Sequence, residues 1–369
     1  MRLAHLHLTE PISYVRSLAL QDALLHRHFD FKDSLRARRS LRSGVSAEPD
    51  QSRVDIKGPT IDPSDLVPAP FPNFVSKRTE STRTKRKLAP APLETSTSIS
   101  TSSSSSSSPS FAATTDNPGA EHSSPNPPDP TLITFSTTPT YTVGRRHLQT
   151  NPISPSQQAF LSASGAATFH ASPRGGLLTY HAPGQLTGYV VADLRRHGIS
   201  PRCWIQMLED CVMHTCAAFG VRDTTRTDDP GVWIKGSDRK ICAIGVQVSR
   251  GITSHGVGFN ISDHSIPPDM ASTFAFTPEQ INSPSYSPLT RGFLSWGFSR
   301  VIACGLKGKS VTWLDREKGD QEPATNPTHI PHVADEFAVQ ISRHINRMRS
   351  NGKEEISAVY TISEADLGL

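Results

Sequence analysis

The feature that most constrains the fold is a long stretch, residues 34–130, in which no helical or strand periodicity survives. It contains a Ser/Thr tract around Thr95–Ser110 and ends in the proline-rich run Pro125–Pro130. Such sequence buries too little apolar surface to offset the entropy lost on ordering. We therefore interpret residues 34–130 as a disordered insertion, between an N-terminal strand and helix (residues 1–33) and a main folded part (residues 131–369).

Charge and cysteine content exclude few partners. The net charge of +4 permits an acidic partner without requiring one. Two basic clusters, Arg36–Arg42 and Arg83–Lys87, are compatible with a nucleic-acid tract, but inside low-complexity sequence a solvated insertion is the simpler interpretation. We therefore expect no nucleic-acid partner. The five cysteines are odd in number and have no paired spacing, so we expect a reducing compartment rather than a disulfide framework.

The apolar segments indicate a fold of mixed strands and helices. No apolar run approaches the roughly 20 residues of a membrane span, so we expect no membrane insertion. Helices are predicted from Thr9-Glu10-Pro11 to Asp33, from Ser200 to Gly220 and from Pro331 onward. Strands are predicted at Met1–Leu8, Leu132–Phe135, Tyr141–Val143, Gly188–Leu194, Gly231–Ile234, Lys240–Val248, Val257–Ile261 and Val359–Ile362. Because the two types do not alternate regularly, the pattern favours an α+β fold with a mixed or antiparallel sheet and flanking helices.

Arginine, tyrosine, histidine, proline and glycine concentrate in twelve residues, Arg174–Gln185. The pair Gly175-Gly176 allows backbone N–H groups to approach a ligand closely. The dipeptide alone is equally compatible with an ordinary turn, but the density of polar residues around it favours a binding segment.

Three further positions have both a structural and a chemical interpretation. Lys240, at the start of an apolar strand, is either a solvated strand end or a positive charge that favours a nearby thiolate. Cys304 follows a short buried run and precedes Gly305, so it is either a small buried apolar residue or an accessible nucleophile. The small residues of Ser254–Asn260 form either a turn or the lining of an acyl channel. The sequence has no phosphate-binding P-loop and no serine nucleophile elbow.

Taken in this order, the segments resemble the octanoyltransferase family of lipoate synthesis. The residues that carry the resemblance are Arg174–Gln185, Gly188-Tyr189, Asp193-Leu194, Gly231-Val232-Trp233, Lys240–Gly245, His255-Gly256 with Asn260, and Cys304-Gly305. The resemblance covers about Leu132–Ile345 and the N-terminal helix. It implies the catalytic domain shared with biotin protein ligases and lipoate-protein ligases.

The resemblance also implies roles for individual residues. Cys304 corresponds to the cysteine that holds the acyl thioester, and Lys240 to the lysine that lowers its pKa. The implied acyl-binding residues are Arg174, Gly175, Gly176, Leu177, Leu178, Thr179, Tyr180, His181, Ala243, Ile244, Gly245, Gly256, Val257 and Gly258. The donor thioester is already activated, so no cofactor and no ATP are expected.

Two departures from the family pattern leave alternatives open. Ala303 stands where the family has proline, and a Ser/Pro-rich stretch at residues 264–291, which we interpret as a surface loop insertion, separates Asn260 from Cys304. One alternative is a non-catalytic relative that binds an acyl group or a carrier protein. The other is an ATP-dependent lipoate-protein ligase. Ligases of that kind have a third glycine where Leu177 stands and an aspartate where Ala182 stands.

The resemblance implies octanoyl-acyl carrier protein as donor. It implies as acceptors the lipoyl domains of 2-oxoacid dehydrogenase E2 subunits and the H protein of glycine cleavage. The low-complexity insertion is typical of eukaryotic proteins, in which this family is mitochondrial. Arg2 and Arg16 suit a transit peptide, whereas Glu10 and Asp22 do not. We expect a mitochondrial monomer.

Overall fold

The computed structural model describes residues 1–43, 126–301, 309–319 and 327–368. Residues 1–43 belong to the same compact unit as the described residues that follow the first gap. The disorder predicted for residues 34–130 concerns mainly residues 44–125, which lie outside the described residues. The proposed domain boundaries therefore stay predictions.

A mixed sheet forms the centre of the described unit. Its strands are β1 (Leu3–His7), β2 (Thr131–Phe135), β6 (Gln185–Val191), β7 (Thr224–Thr225), β8 (Gly231–Ile234), β9 (Arg239–Ser249), β10 (Ile252–Asn260), β11 (Ser310–Val311) and β12 (Val359–Thr361). They follow the order β12-β1-β2-β6-β10-β9-β8-β7, and β11 pairs with β9. Pairs β1/β12, β1/β2 and β9/β11 are parallel, and the other pairs are antiparallel. The predicted mixed sheet with flanking helices is thus confirmed.

A smaller sheet stands beside the larger one. It contains β3 (Thr140–Gly144), β4 (Thr168–Ser172) and β5 (Thr179–His181), in the order β4-β3-β5. The helices are α1 (Tyr14–Ser43), α2 (Arg145–Thr150), α3 (Pro155–Ser162), α4 (Leu194–His197), α5 (Pro201–Ala218), α6 (Pro278–Ile281), α7 (Phe293–Ser299), α8 (Leu314–Glu317) and α9 (Ile330–Met348).

Helices α5 and α9 cover one face of the larger sheet. In α9 the apolar residues Val333, Phe337, Ile341 and Ile345 recur every fourth position, and all four are fully buried. This spacing places them on one helical face, which packs in a common core with Val212 of α5 and with residues of β9 and β10. The sequence predicted this helix and its buried face.

The first helix differs from the prediction at both ends. It begins at Tyr14 rather than near Pro11, because Ser13 caps it and the backbone of Ile12 pairs with the Ser136–Thr137 segment instead. It continues past Asp33 to Ser43. The residues after Asp33 include four arginines and two leucines, which favour a helix even where no apolar stripe remains.

The segment 264–291, predicted as a surface loop, contributes to the interior. Phe274 is 2% exposed, and its ring lies edge-on to Phe293 and Trp296 of α7, at 5.1 and 4.8 Å between centroids. Phe276 packs in the same way on Tyr286, at 5.2 Å. The sequence is rich in Ser and Pro, but these aromatic rings supply the apolar area that attaches it to α7.

Asp263 fixes the start of α7. Its carboxylate is 5% exposed and accepts hydrogen bonds from the backbone N–H groups of Gly292, Leu294 and Ser295, at 3.1, 2.8 and 3.1 Å, and from the hydroxyl of Thr290. The first N–H groups of a helix have no partner within the helix, so this buried carboxylate satisfies them. Asp263 therefore fixes the orientation of α7, whose far end leads to Val301.

We expect Asp263→Ala to lower the free energy of unfolding by about 3 kcal/mol, because several buried N–H groups lose their acceptor. Urea denaturation followed by tryptophan fluorescence measures this change. Asp269→Ala is the matched control, since Asp269 is exposed in the same segment, and it should change stability by less than about 0.5 kcal/mol. Equal stability of the two variants would contradict the capping role.

Candidate active site

Two paired strands provide a floor that is almost free of side chains. In the antiparallel pair β9/β10, Ala243 lies opposite Gly258 and Gly245 lies opposite Gly256. Directly paired residues project to the same face of a sheet. The intervening Ile244 and Val257 pack in the core with α5 and α9. The predicted segments Ala243–Gly245 and Gly256–Gly258 therefore each combine two floor positions with one core position.

The loop after β4 forms a wall above this floor. The Arg174 guanidinium donates to the carbonyl oxygens of Thr142, Gly175 and Leu177, at 2.9, 2.9 and 3.3 Å, and to the Thr142 hydroxyl at 2.7 Å. Gly245 lies close beneath the loop, since a Cβ there would approach Arg174 Cδ to 2.9 Å. Arg174 thus holds the loop in place because its guanidinium binds carbonyl groups of the loop itself.

His181 connects this wall to the sheet as a neutral side chain. Its Nδ1 donates to Gln185 Oε1 at 2.6 Å, and its Nε2 lies 3.3 Å from the Thr142 hydroxyl. An amide oxygen only accepts, so Nδ1 carries the proton and Nε2 accepts. Burial, reinforced by the charge of Arg174, lowers the pKa of His181 to about 4. Gln185 continues the network by donating to Asn260 Oδ1 at 2.8 Å.

Lys240 brings a positive charge to one end of the floor. It is 4% exposed, and its Nζ donates to Pro230 O at 3.1 Å and lies 4.4 Å from the centroid of the Trp233 ring. A Cβ at Gly231 would lie 3.4 Å from this Nζ, so the ammonium group sits over Gly231. Gly231 pairs with Ala243. The lysine side chain therefore extends forward along β9 to the level of Ala243.

A second lysine flanks the same tryptophan. Lys309 Nζ lies 4.8 Å from the Trp233 centroid and 2.9 Å from Asp229 Oδ2. The indole N–H of Trp233 donates to the carbonyl oxygen of Asp229 at 3.3 Å. The tryptophan ring thus lies close to two cations, an arrangement that stabilises both through the ring quadrupole.

His255 stands at the other end of the floor in an unusual conformation. Its φ of 59° is left-handed, and its backbone N–H donates to Gln21 Oε1 of α1 at 2.6 Å. The ring is 1% exposed and lies edge-on to Tyr189 at 5.0 Å. Burial lowers the pKa of His255 to about 3, so the ring is neutral at pH 7. Among the described residues, none forms a hydrogen bond with its Nε2.

These elements enclose a cavity of about 130 Å³. Of the predicted site residues that the structure describes, all line it except Gly175 and Tyr180. Gly175 bonds to the carbonyl of Val246 behind the wall. Tyr180 is fully buried against Tyr141 and Phe298, where it supports α7.

The sequence did not assign six further lining residues, namely Tyr14, Thr142, Tyr189, Asp229, Pro230 and His255. Tyr189 and His255 belong to the quoted motifs, so the resemblance pointed to them without giving a role. Tyr14 and Thr142 come from α1 and β3, and no local pattern marks them as part of a site.

A small recess of about 10 Å³ adjoins the cavity. It shares Leu178, Lys240 and Gly258 with the cavity and extends to Phe298 and Val301. Val301 is the last described residue before the gap at residues 302–308. Cys304 lies outside the described residues, and so does Ala303.

The arrangement suits an unbranched apolar group with a reactive end near a positive charge. A cavity of this kind, apolar with a few convergent polar groups, is typical of a small-molecule site. Within the described ranges, no group of three or more His, Cys, Asp or Glu side chains is placed to hold a metal ion. None of the helices in the described part of the chain has the length and apolar character needed to cross a membrane.

Comparison with known proteins identifies related sequences. Residues 108–280 match the family model of the lipoyl protein ligase A/B catalytic domain, which confirms the predicted fold. A Schizosaccharomyces pombe protein named "Probable octanoyltransferase" is 40% identical over 186 residues, 50% of this chain and 67% of that protein. The mitochondrial octanoyl-[acyl-carrier-protein]:protein N-octanoyltransferase of Danio rerio is 33% identical over 220 residues, 60% of this chain and 80% of that protein.

Among solved structures, a bipartite lipoate protein ligase from Thermoplasma acidophilum matches 65% of this chain and 78% of its own, at 13% identity and a TM-score of 0.39. The match to each of the two sequence relatives covers most of that relative's own length, at 30% identity or more. The predicted resemblance is thereby confirmed: the chain belongs to the octanoyltransferase family and is an acyltransferase.

Proposed function

We propose that the protein transfers an octanoyl group from octanoyl-acyl carrier protein, through a thioester on Cys304, to a lysine of lipoyl domains. The observation that carries this proposal is the cavity, with its floor of Ala243, Gly245, Gly256 and Gly258 and with Lys240 at one end. The acceptors are the lipoyl domains of 2-oxoacid dehydrogenase E2 subunits and the H protein of glycine cleavage. The mitochondrial name of the Danio rerio relative supports a mitochondrial location.

The recess at Val301 supports the assignment of Cys304. Three peptide units separate Cys304 from Val301. The Cα atoms of the two residues are therefore at most about 11 Å apart. Val301 lines the recess together with Lys240. The chain after Val301 is therefore long enough for Cys304 to meet the charged end of the cavity, as the proposal requires.

The first half-reaction is a thioester exchange. The Cys304 thiolate attacks the acyl carbon, the bond to the carrier thiol breaks, and the carrier leaves with the proton that Cys304 gave up. Lys240 promotes the step because its positive charge stabilises the thiolate. The proton that Cys304 gives up is held on Lys240 as the ammonium group, which then donates it to the leaving carrier thiolate and so becomes a neutral amine.

The second half-reaction forms the amide. The acceptor lysine attacks the thioester carbon, the C–S bond breaks, and the amine proton returns to the Cys304 sulfur. An amine is almost wholly protonated at pH 7, so a proton acceptor is needed. Lys240, neutral after its proton has left with the carrier thiol, serves as that general base. The cavity keeps the apolar chain in place during both steps.

We expect Cys304→Ser to abolish transfer, because a serine hydroxyl beside Lys240 is a far weaker nucleophile than a thiolate. Intact-mass spectrometry of the full chain with octanoyl-carrier protein and an apo lipoyl domain should show a hydroxylamine-sensitive octanoyl adduct, which then moves to the lipoyl domain. The control Cys203→Ser removes a thiol remote from the cavity and should behave as the unmodified protein. Full transfer by the Cys304→Ser variant would end the proposal.

The mass experiment also separates the two alternatives. An adduct that never moves to the lipoyl domain indicates a binding-only relative. Modification of the lipoyl domain that requires ATP and free acid, without an adduct, indicates a ligase.

We expect Lys240→Ala to slow thioester formation by about 100-fold or more, since both the charge and the proton carrier are lost. Rapid-quench measurement of the octanoyl adduct gives this rate. Lys235→Ala is the matched control, because Lys235 is exposed in the adjoining turn and should leave the rate unchanged. Lys240→Arg keeps the charge but loses the proton carrier, so thioester formation should slow less than in Lys240→Ala. Amide formation should slow strongly, because a guanidinium cannot accept a proton. Equal rates in the Lys240→Ala and Lys235→Ala variants would contradict the role of Lys240.

A further inference from the structure

We propose that His255 sets the length of the acyl chain at about eight carbons by closing the end of the cavity opposite Lys240. The inference rests on the proposed function, in which the cavity holds the acyl group. It adds the residue that limits the group's size.

The register of the sheet places the two ends at a measurable separation. Gly231, Ala243 and Gly258 form one row across β8, β9 and β10, and the Lys240 ammonium sits over this row. His255 pairs with Val246, three residues further along both strands. Val246 packs in the core, but the backbone of His255 is left-handed and its side chain lines the cavity. At roughly 3.4 Å per residue, the two rows are about 10 Å apart.

An octanoyl group matches this length. Its seven C–C bonds of about 1.5 Å, in an extended zigzag, span about 9 Å. With the carbonyl carbon at the Lys240 row, the terminal methyl group reaches the His255 row. Two or four more methylene groups would have to occupy the position of the imidazole.

The closed end is rigid because α1 supports it from behind. Gln21, which is 2% exposed on α1, accepts the His255 backbone N–H, and Tyr189 contacts the ring edge-on. Beyond them lies the buried cluster that contains Leu20 and Leu24 of α1. The imidazole therefore separates the cavity from a packed core rather than from solvent.

The backbone at His255 indicates a function for the ring. A backbone with φ near 59° is unfavourable for a non-glycine residue, whereas glycine adopts this conformation freely. No described residue bonds to Nε2, so a hydrogen bond from this atom to the rest of the described chain does not explain the side chain. The bulk of the imidazole ring at the end of the cavity does explain why a histidine occupies this position.

The test measures binding of octanoate, decanoate and dodecanoate to the full chain by calorimetry. The unmodified protein should bind octanoate most tightly. His255→Gly removes the ring without backbone strain, so dodecanoate binding relative to octanoate should improve by about 10-fold or more. His255→Asn, which tolerates the left-handed backbone and keeps a polar group, should shift the preference in the same direction by a smaller factor.

Ser164→Gly is the matched control. Ser164 also has a positive φ, of 54°, but it is exposed outside the cavity, so its change should leave the length preference as in the unmodified protein. The inference is overturned if the folded His255→Gly variant keeps the unmodified length preference, or if the unmodified protein binds dodecanoate as tightly as octanoate or binds none of the three acids.

The mass experiment with carrier protein keeps the two proposals apart. In one outcome the length preference shifts in the His255→Gly variant but the protein transfers no acyl group. This outcome supports the role of His255 and contradicts the transferase proposal. Transfer without any shift supports the transferase proposal and contradicts the role of His255.

Discussion

The pairing of β9 with β10 is the constraint on which the rest of the site depends. It brings Ala243 and Gly245 opposite Gly258 and Gly256, which leaves a strip of sheet with almost no side chains in an otherwise packed interior. Because side chains alternate along a strand, the same two strands bury Ile244 and Val257 in the core beneath. A slip of one residue in the pairing would exchange floor and core.

The walls and ends of the cavity follow from this floor. Gly245 lets the loop of Arg174 lie directly on the sheet, and Arg174 fixes that loop by donating to its own carbonyl groups. Lys240 lies above the row of Ala243 and His255 stands three residues further along. The site is therefore polar at its walls and apolar along its floor, with one charged and one neutral end.

Much of this arrangement could be predicted from the sequence, because the residues that form it stand in local motifs. Strand periodicity located β8, β9 and β10, whereas the resemblance to the octanoyltransferase family, rather than the residues alone, marked the small residues of the floor. The contributions that could not be predicted come from far along the chain. Tyr14 and Gln21 reach the site from α1, more than 200 residues before β10, and the left-handed backbone of His255 follows from tertiary contacts rather than local propensity. The aromatic attachment of residues 264–291 to α7 was equally hidden by a Ser/Pro-rich composition.

The most direct test of this account is a crystal structure of the protein acylated by octanoyl-carrier protein. We predict electron density for an extended eight-carbon chain that lies over Ala243, Gly245, Gly256 and Gly258, with its thioester at Cys304 near Lys240 and its methyl group against His255. A chain that extends into solvent, or that is attached to another residue, would contradict the account.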